Sequence, residues 1–167
     1  MTVDPAVSSA MKAFDSIFAR QLPQLANGPT AFLAFMCALG AIDSLAAYRT
    51  PLPPPATRED VGRRYKLFIK DFFPASYLPH LDKLYLLRCR MLHNFSPAHF
   101  TLSHGAPERH LRPSQINDVE LNAESFVQDV LLAARAFFDE VAADQSMQQV
   151  MRARLDSVER GGSIGIV

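Results

Sequence analysis

The sequence predicts an all-α bundle of about six helices, folded as one domain over residues 1–167, with a small β-hairpin or extended insert between the fourth and fifth helices. Apolar residues recur at three- and four-residue spacing along most of the chain. Prolines, glycines and capping residues fall between those periodic stretches, where helices stop and start. The length of 167 residues, with 49% hydrophobic and 20% charged side chains, is enough to bury a single core.

The first helix opens at Asp4-Pro5, an N-cap followed by a first-turn proline, and carries Val7, Ala10, Met11, Phe14, Ile17, Phe18 and Leu22 on one face. The second begins near Asn27-Gly28-Pro29, buries Phe32, Phe35, Met36, Leu39 and Ala46, and ends before Pro51. Pro51-Leu52-Pro53-Pro54-Pro55 reads as a stiff extended spacer. Thr57 and Asp60 resemble a capping box with the shorter acid, and they open a third helix with Val61, Tyr65, Phe68 and Phe72 inward and Pro74 as its stop. The fourth runs from about Leu78-Pro79 to His93-Asn94, terminated by Ser96-Pro97. Asn122 caps the fifth, whose buried stripe is Phe126, Val127, Val130, Leu131, Ala134, Phe137, Phe138 and Val141. Ser146 is the expected cap of a sixth, carrying Val150, Met151, Leu155 and Val158. The loop 95–121 is longer than a plain connection needs, and Phe100–Ser103, the turn Gly105-Ala106-Pro107 and Val119–Leu121 suggest a hairpin within it. The tail 161–167 is glycine-rich and expected to be flexible or a short strand.

Seventeen Lys and Arg balance seventeen Asp and Glu, so no whole-molecule basic field exists to hold nucleic acid, and any polyanion must meet a local patch. The N-terminus lacks the pattern of a secretory signal and the chain has two cysteines, Cys37 and Cys89, which predicts a reduced, cytoplasmic protein. The most apolar run, Ala31 to Ile42, is interrupted by Asp43, and no membrane span is expected.

Two charges stand where apolar residues belong. On a helical wheel Arg88 falls in the middle of the fourth helix's apolar stripe, among Leu81, Leu84, Tyr85, Met91 and Leu92, and Asp43 is centred on the buried face of the second. A buried charge needs a partner, and arginine does not escape by losing its proton. The sequence therefore predicts an Asp43–Arg88 pair joining two helices. In a functional version of the same pair, Asp43 orients Arg88 at a cleft edge, leaving its spare donors for a phosphate.

Downstream the chain reads Arg88-Cys89-Arg90-Met91-Leu92-His93-Asn94-Phe95. An arginine, four residues and a histidine late in a helix resemble the motif of the HEPN superfamily of all-α domains, which includes metal-independent ribonucleases and toxins. The wider string from Leu84 to Phe95, with Phe100-Thr101-Leu102-Ser103-His104 and His110-Leu111 beyond it, is similar to a group of uncharacterised bacterial HEPN-like proteins. Active members usually place a polar residue after the arginine; this chain has Cys89.

The resemblance implies an RNA-binding protein and a candidate metal-independent endoribonuclease, in a toxin–antitoxin or phage-defence setting, with an antitoxin or other protein as a further partner. His93 would act as general base on a ribose 2′-hydroxyl and Arg88 would stabilise charge on the phosphate, with Asn94 and Asp43 in support. No cofactor or metal is required, and the ends left are a 2′,3′-cyclic phosphate and a 5′-hydroxyl. On an ideal helix Arg88 and His93 point about 140° apart. They converge through a distorted helix end or across a homodimer, and HEPN ribonucleases typically pair two motifs at a dimer interface.

Arg90, His104 and His110 are candidates for the same cleft, and Arg63, Lys66 and Lys70 form a basic stripe on the third helix that is either a solvated face or a phosphate track. His93, His99, His104 and His110 match no zinc spacing. No phosphate-binding glycine loop, serine nucleophile elbow or HExxH helix is present. The alternative function is a non-catalytic helical module that binds a nucleotide or a protein partner.

Overall fold

The computed structural model describes residues 2–50 and 57–160; the Pro51–Pro55 spacer, the tail 161–167 and the side chains of Val158, Glu159 and Arg160 lie outside the described residues. Asp4 starts the first helix, α1 (Pro5–Phe14), by accepting from the backbone N–H groups of Ala6 and Val7. The continuous first helix that the periodicity predicts is broken in two. A π turn at Asp15–Ala19, closed by Arg20 N–H donating to the Asp15 carbonyl at 3.2 Å, precedes a short α2 (Leu22–Ala26). The wider turn shifts the register by one residue, so Phe14 and Leu22 stay buried while Ile17 swings out to 52% exposure.

A 3₁₀ turn at Gly28–Thr30 leads into α3 (Ala31–Arg49), the axis of the fold. It touches α2 and four later helices: α4 (Arg58–Phe72), α5 (Leu81–Asn94), α6 (Ala123–Ala143) and α7 (Gln145–Arg160). Its buried positions, among them Ala34, Phe35, Ala38, Leu39, Ala41, Ile42 and Leu45, form one broad face, and the alanines on it let neighbouring helices approach closely, while Phe32, Leu33 and Cys37 face outward. By length and composition Gly28–Arg49 could cross a membrane, with a mean hydropathy of 1.7, so the break at Asp43 understates its apolar length. In this fold 56% of that apolar stretch is buried against the rest of the protein. Phe32, expected in the core, is 38% exposed, because the inward side of the first turns belongs to Ala31, Ala34 and Phe35.

Aromatic contacts tie α3 and α4 to α6: Phe35 stacks on Phe126 at 6.0 Å and Phe68 meets Phe137 edge-on at 5.8 Å. A 3₁₀ segment, Ala75–His80, turns the chain from α4 into α5. The sixth predicted helix, α7, is capped by Asp144, not Ser146: the Asp144 carboxylate accepts from the Ser146 and Met147 N–H groups and from the Ser146 hydroxyl. One carboxylate satisfies three donors where a serine would satisfy fewer.

The insert between α5 and α6 forms no hairpin of the expected pairing. Strands β1 (Phe100–Ser103) and β2 (Val119–Asn122) are parallel, with Phe100 opposite Val119 and Ser103 opposite Asn122. Residues 104–118 between them are long enough for the crossover a parallel pair requires. The antiparallel partner of β2 is instead residues 111–113 on its other edge, where Leu111 N–H donates to Glu120 O and Glu120 N–H to Arg112 O, both at 2.8 Å. Wedged this way, all four β2 residues are buried, Glu120 and Asn122 included.

Candidate functional site

Two local features place the walls of a cleft between α4 and α5. The predicted capping box forms: Thr57 Oγ1 accepts from Asp60 N–H, and the Asp60 carboxylate accepts from Thr57 N–H. It sets Arg58 in the first turn of α4. Gly62, one turn on, has no side chain because a Cβ there would lie 2.9 Å from the Tyr85 ring. Tyr85 thus packs directly against α4, and its hydroxyl donates to the Arg58 carbonyl at 3.1 Å.

The cleft has a volume of about 630 Å³, and Arg58, Arg88, Arg90, His93 and Asn94 are its polar walls. No acidic side chain among the described residues lines it. Helix α5 is a continuous α-helix through Asn94, so Arg88 and His93 do not converge by a distorted helix end, although both line one cleft. Arg88 sits at the buried edge, its side chain 17% exposed, and His93 at the open edge. Arg90 is exposed beside them.

Beneath the cleft the predicted pair is present, with Arg88 Nη2 donating to Asp43 Oδ2 at 2.5 Å. Burial opposes the charge on Arg88, but the hydrogen bond and charge of Asp43 outweigh it and raise its pKa. Asp43 Oδ1, Arg88 Nε, Arg64 Nε and the Tyr65 hydroxyl are buried without a hydrogen-bond partner among the described residues. Burial lowers the pKa of Arg64, with nearby Arg154 and Arg88 acting in the same direction and Asp43 against them. Burial, then the Asp43 charge, pushes the Tyr65 phenol well above its ordinary range. The charge of Asp43 therefore reaches Arg64 and Tyr65 of α4 while its hydrogen bond goes to Arg88 of α5. The guanidinium of Arg88 is held by one corner while other donors remain for an anion.

Arg58 and Arg64 have no part in the sequence reading, and Tyr65 and Tyr85 enter it only as apolar-stripe residues. Arg58 carries a signal in its place directly after a capping-box threonine; Tyr85 reads only as a stripe residue until Gly62 is seen opposite it.

Other expected site residues lie elsewhere. His104 is exposed in the insert and does not line the cleft. His110 is engaged in a separate network: its Nδ1 accepts from Asn122 N–H at 3.2 Å, so Nε2 carries the proton of the neutral ring and donates to the Tyr77 hydroxyl at 2.8 Å. That hydroxyl donates in turn to Asp129 Oδ2 at 2.7 Å. Burial and the Asp129 charge raise the Tyr77 pKa far above its usual value, keeping the phenol protonated. On α4, Arg63 pairs with Asp60 at 3.1 Å and Lys66 with Asp82 at 2.9 Å, which leaves Lys70 exposed at the far end of a largely neutralised stripe. His99 contacts Asp118 at 3.3 Å.

A second cavity, of about 710 Å³, lies between α1, the π turn, α2 and α6, with Met11, Phe14, Val127, Leu131 and Phe138 as its apolar floor. The arginines, imidazole and amide that the sequence singles out line the smaller cleft instead. Comparison with protein-family models, curated proteins and solved structures found no match.

Proposed function

We propose that the chain binds RNA in the α4–α5 cleft and cleaves it there as a HEPN-like, metal-independent endoribonuclease. The observation that carries this reading is the opening of Arg58, Arg88, Arg90 and His93 onto one cleft without an acidic lining residue. Such a wall attracts a phosphodiester and sets an imidazole beside it. His93 takes the proton of the 2′-hydroxyl, the 2′-oxygen attacks phosphorus as the P–O5′ bond breaks, and the departing 5′-oxygen takes a proton from water, leaving a 2′,3′-cyclic phosphate and a 5′-hydroxyl end. Arg88, oriented by Asp43, stabilises the charge that builds on the phosphoryl oxygens, and the Asn94 amide donates to the same group. Arg58 and Arg90 hold flanking phosphates. A homodimer that sets two clefts side by side belongs to the proposal.

Purified protein should cut RNA in excess EDTA and leave the 2′-deoxy analogue intact. His93→Ala should abolish cleavage with an unchanged far-UV spectrum and melting temperature. Intact RNA with the wild type, or equal cleavage by the variant, removes the enzymatic reading. The second reading, a non-catalytic module binding a nucleotide or a protein, is favoured by the Asp43 contact, which gives Arg88 a duty in joining α3 to α5. It predicts binding without cleavage.

A further inference from the structure

Phe95 follows directly on the two cleft residues His93 and Asn94, at the C-cap of α5. Most of the chain's phenylalanines are buried or half-buried, whereas Phe95 is 66% exposed. Its backbone is left-handed, with φ 52° and ψ 33°, a conformation that helix ends ordinarily give to glycine or asparagine. A bulky side chain there costs backbone energy that burial would normally repay, and this ring is not buried. The turn is held firmly, because the N–H groups of Phe95 and Ser96 both donate to the carbonyl of Arg90, itself a cleft residue. A second left-handed residue, Ala98 at φ 53°, follows within the same reversal. Other large apolar side chains are also exposed, Ile116 at 82% and Leu132 at 54% among them. Phe95 combines exposure, a fixed and costly backbone, and a place in the chain directly after two residues that line the cleft.

An exposed aromatic ring at the end of a cationic groove suits unpaired bases, because the cations can follow the phosphates while the ring stacks on a base. A duplex hides its base faces inside the stack, so this arrangement selects single strands. We propose that Phe95 is the stacking platform for an unpaired base of single-stranded RNA whose phosphate lies in the α4–α5 cleft. The inference rests on the RNA reading above and narrows it to single strands.

The test is fluorescence anisotropy with a short single-stranded RNA, 2′-O-methylated so that it cannot be cleaved, and with its matched duplex. Phe95→Ala should weaken single-strand binding about tenfold and leave duplex binding unchanged, while Phe95→Trp should keep the affinity. Phe95→Gly relieves the backbone, so it should melt no lower than the wild type yet bind as weakly as the alanine variant; a purely structural ring would give the opposite pattern. Equal single-strand affinity in wild type and Phe95→Ala overturns the platform and leaves the RNA reading standing. A dimer that becomes a monomer in Phe95→Ala by sedimentation equilibrium, with affinity per chain unchanged, reassigns the ring to a protein interface and also overturns it. If the wild type binds neither RNA, both the platform and the RNA reading fall.

Discussion

Replacing Arg88 with alanine leaves the Asp43 carboxylate partly buried beside Tyr65 with its one hydrogen bond gone. Both side chains of the pair keep some solvent contact, so the cost should sit below that of a fully buried pair, at about 2–3 kcal/mol, read as a lower urea midpoint at neutral pH. An unchanged midpoint would show that the pair does not hold α3 to α5. Asp43 and Arg88 could be found in the sequence because each interrupts an apolar stripe, and a charge in such a place demands an opposite one. Tyr77 offers no such signal: a tyrosine in a 3₁₀ turn reads as ordinary until Asp129 and His110, 52 and 33 residues away, close on its hydroxyl. Tyr77→Phe should cost about 1–3 kcal/mol, since it leaves Asp129 without its phenol donor. Amide exchange would then quicken in the insert around His110, and unchanged protection there would count against the network as its anchor.

Among the elements, α1, α4 and α7 begin on carboxylates that accept backbone or hydroxyl hydrogens. The Val7 and Ala6 N–H groups lower the pKa of Asp4, the Thr57 hydroxyl and N–H that of Asp60, and the Ser146 hydroxyl and N–H that of Asp144, each below the ordinary 3.8. A folded-state pKa below the unfolded value stabilises the fold above the unfolded pKa. That contribution is lost as pH falls from about 4 through the depressed folded values. Melting temperature should therefore drop steeply below pH 4, and less steeply in Asp144→Asn, which retains a cap acceptor that does not titrate. Equal acid slopes in the two proteins would contradict the assignment. At the contact between α4 and α5, Gly62→Ala sets a helix-propensity gain of about 1 kcal/mol against a clash with the Tyr85 ring. The substitution should stabilise the protein only in a Tyr85→Ala background; a similar gain in both backgrounds would mean the ring yields freely.

For the whole molecule, a formal net charge of zero leaves the cleft to supply any attraction for RNA. Binding through Arg58, Arg88 and Arg90 alone should give a slope of log K against log salt of about −2, the value for some three phosphates on a single strand. A slope near zero would remove the phosphate contacts, and a far steeper one would bring in a basic surface elsewhere. The bundle organises this site indirectly. Helix α3, which packs on four later helices, provides Asp43 beneath Arg88, and the contact of Gly62 with Tyr85 fixes how closely α4 approaches α5.

Helix order, the caps at Asp4, Thr57 and Asn122, the stop at Pro74 and the pairing of Asp43 with Arg88 follow from the sequence by itself, because periodicity, capping chemistry and the cost of a buried charge act over a few residues or admit few partners. Only the tertiary structure decided the π turn that exposes Ile17, the parallel pairing of β1 with β2, the removal of His110 to Tyr77 and Asp129, and the arrival of Arg58 opposite His93. Each of these depends on which distant segment supplies a hydrogen bond or a packing face, and the energy of such a contact is written in no local pattern of the chain.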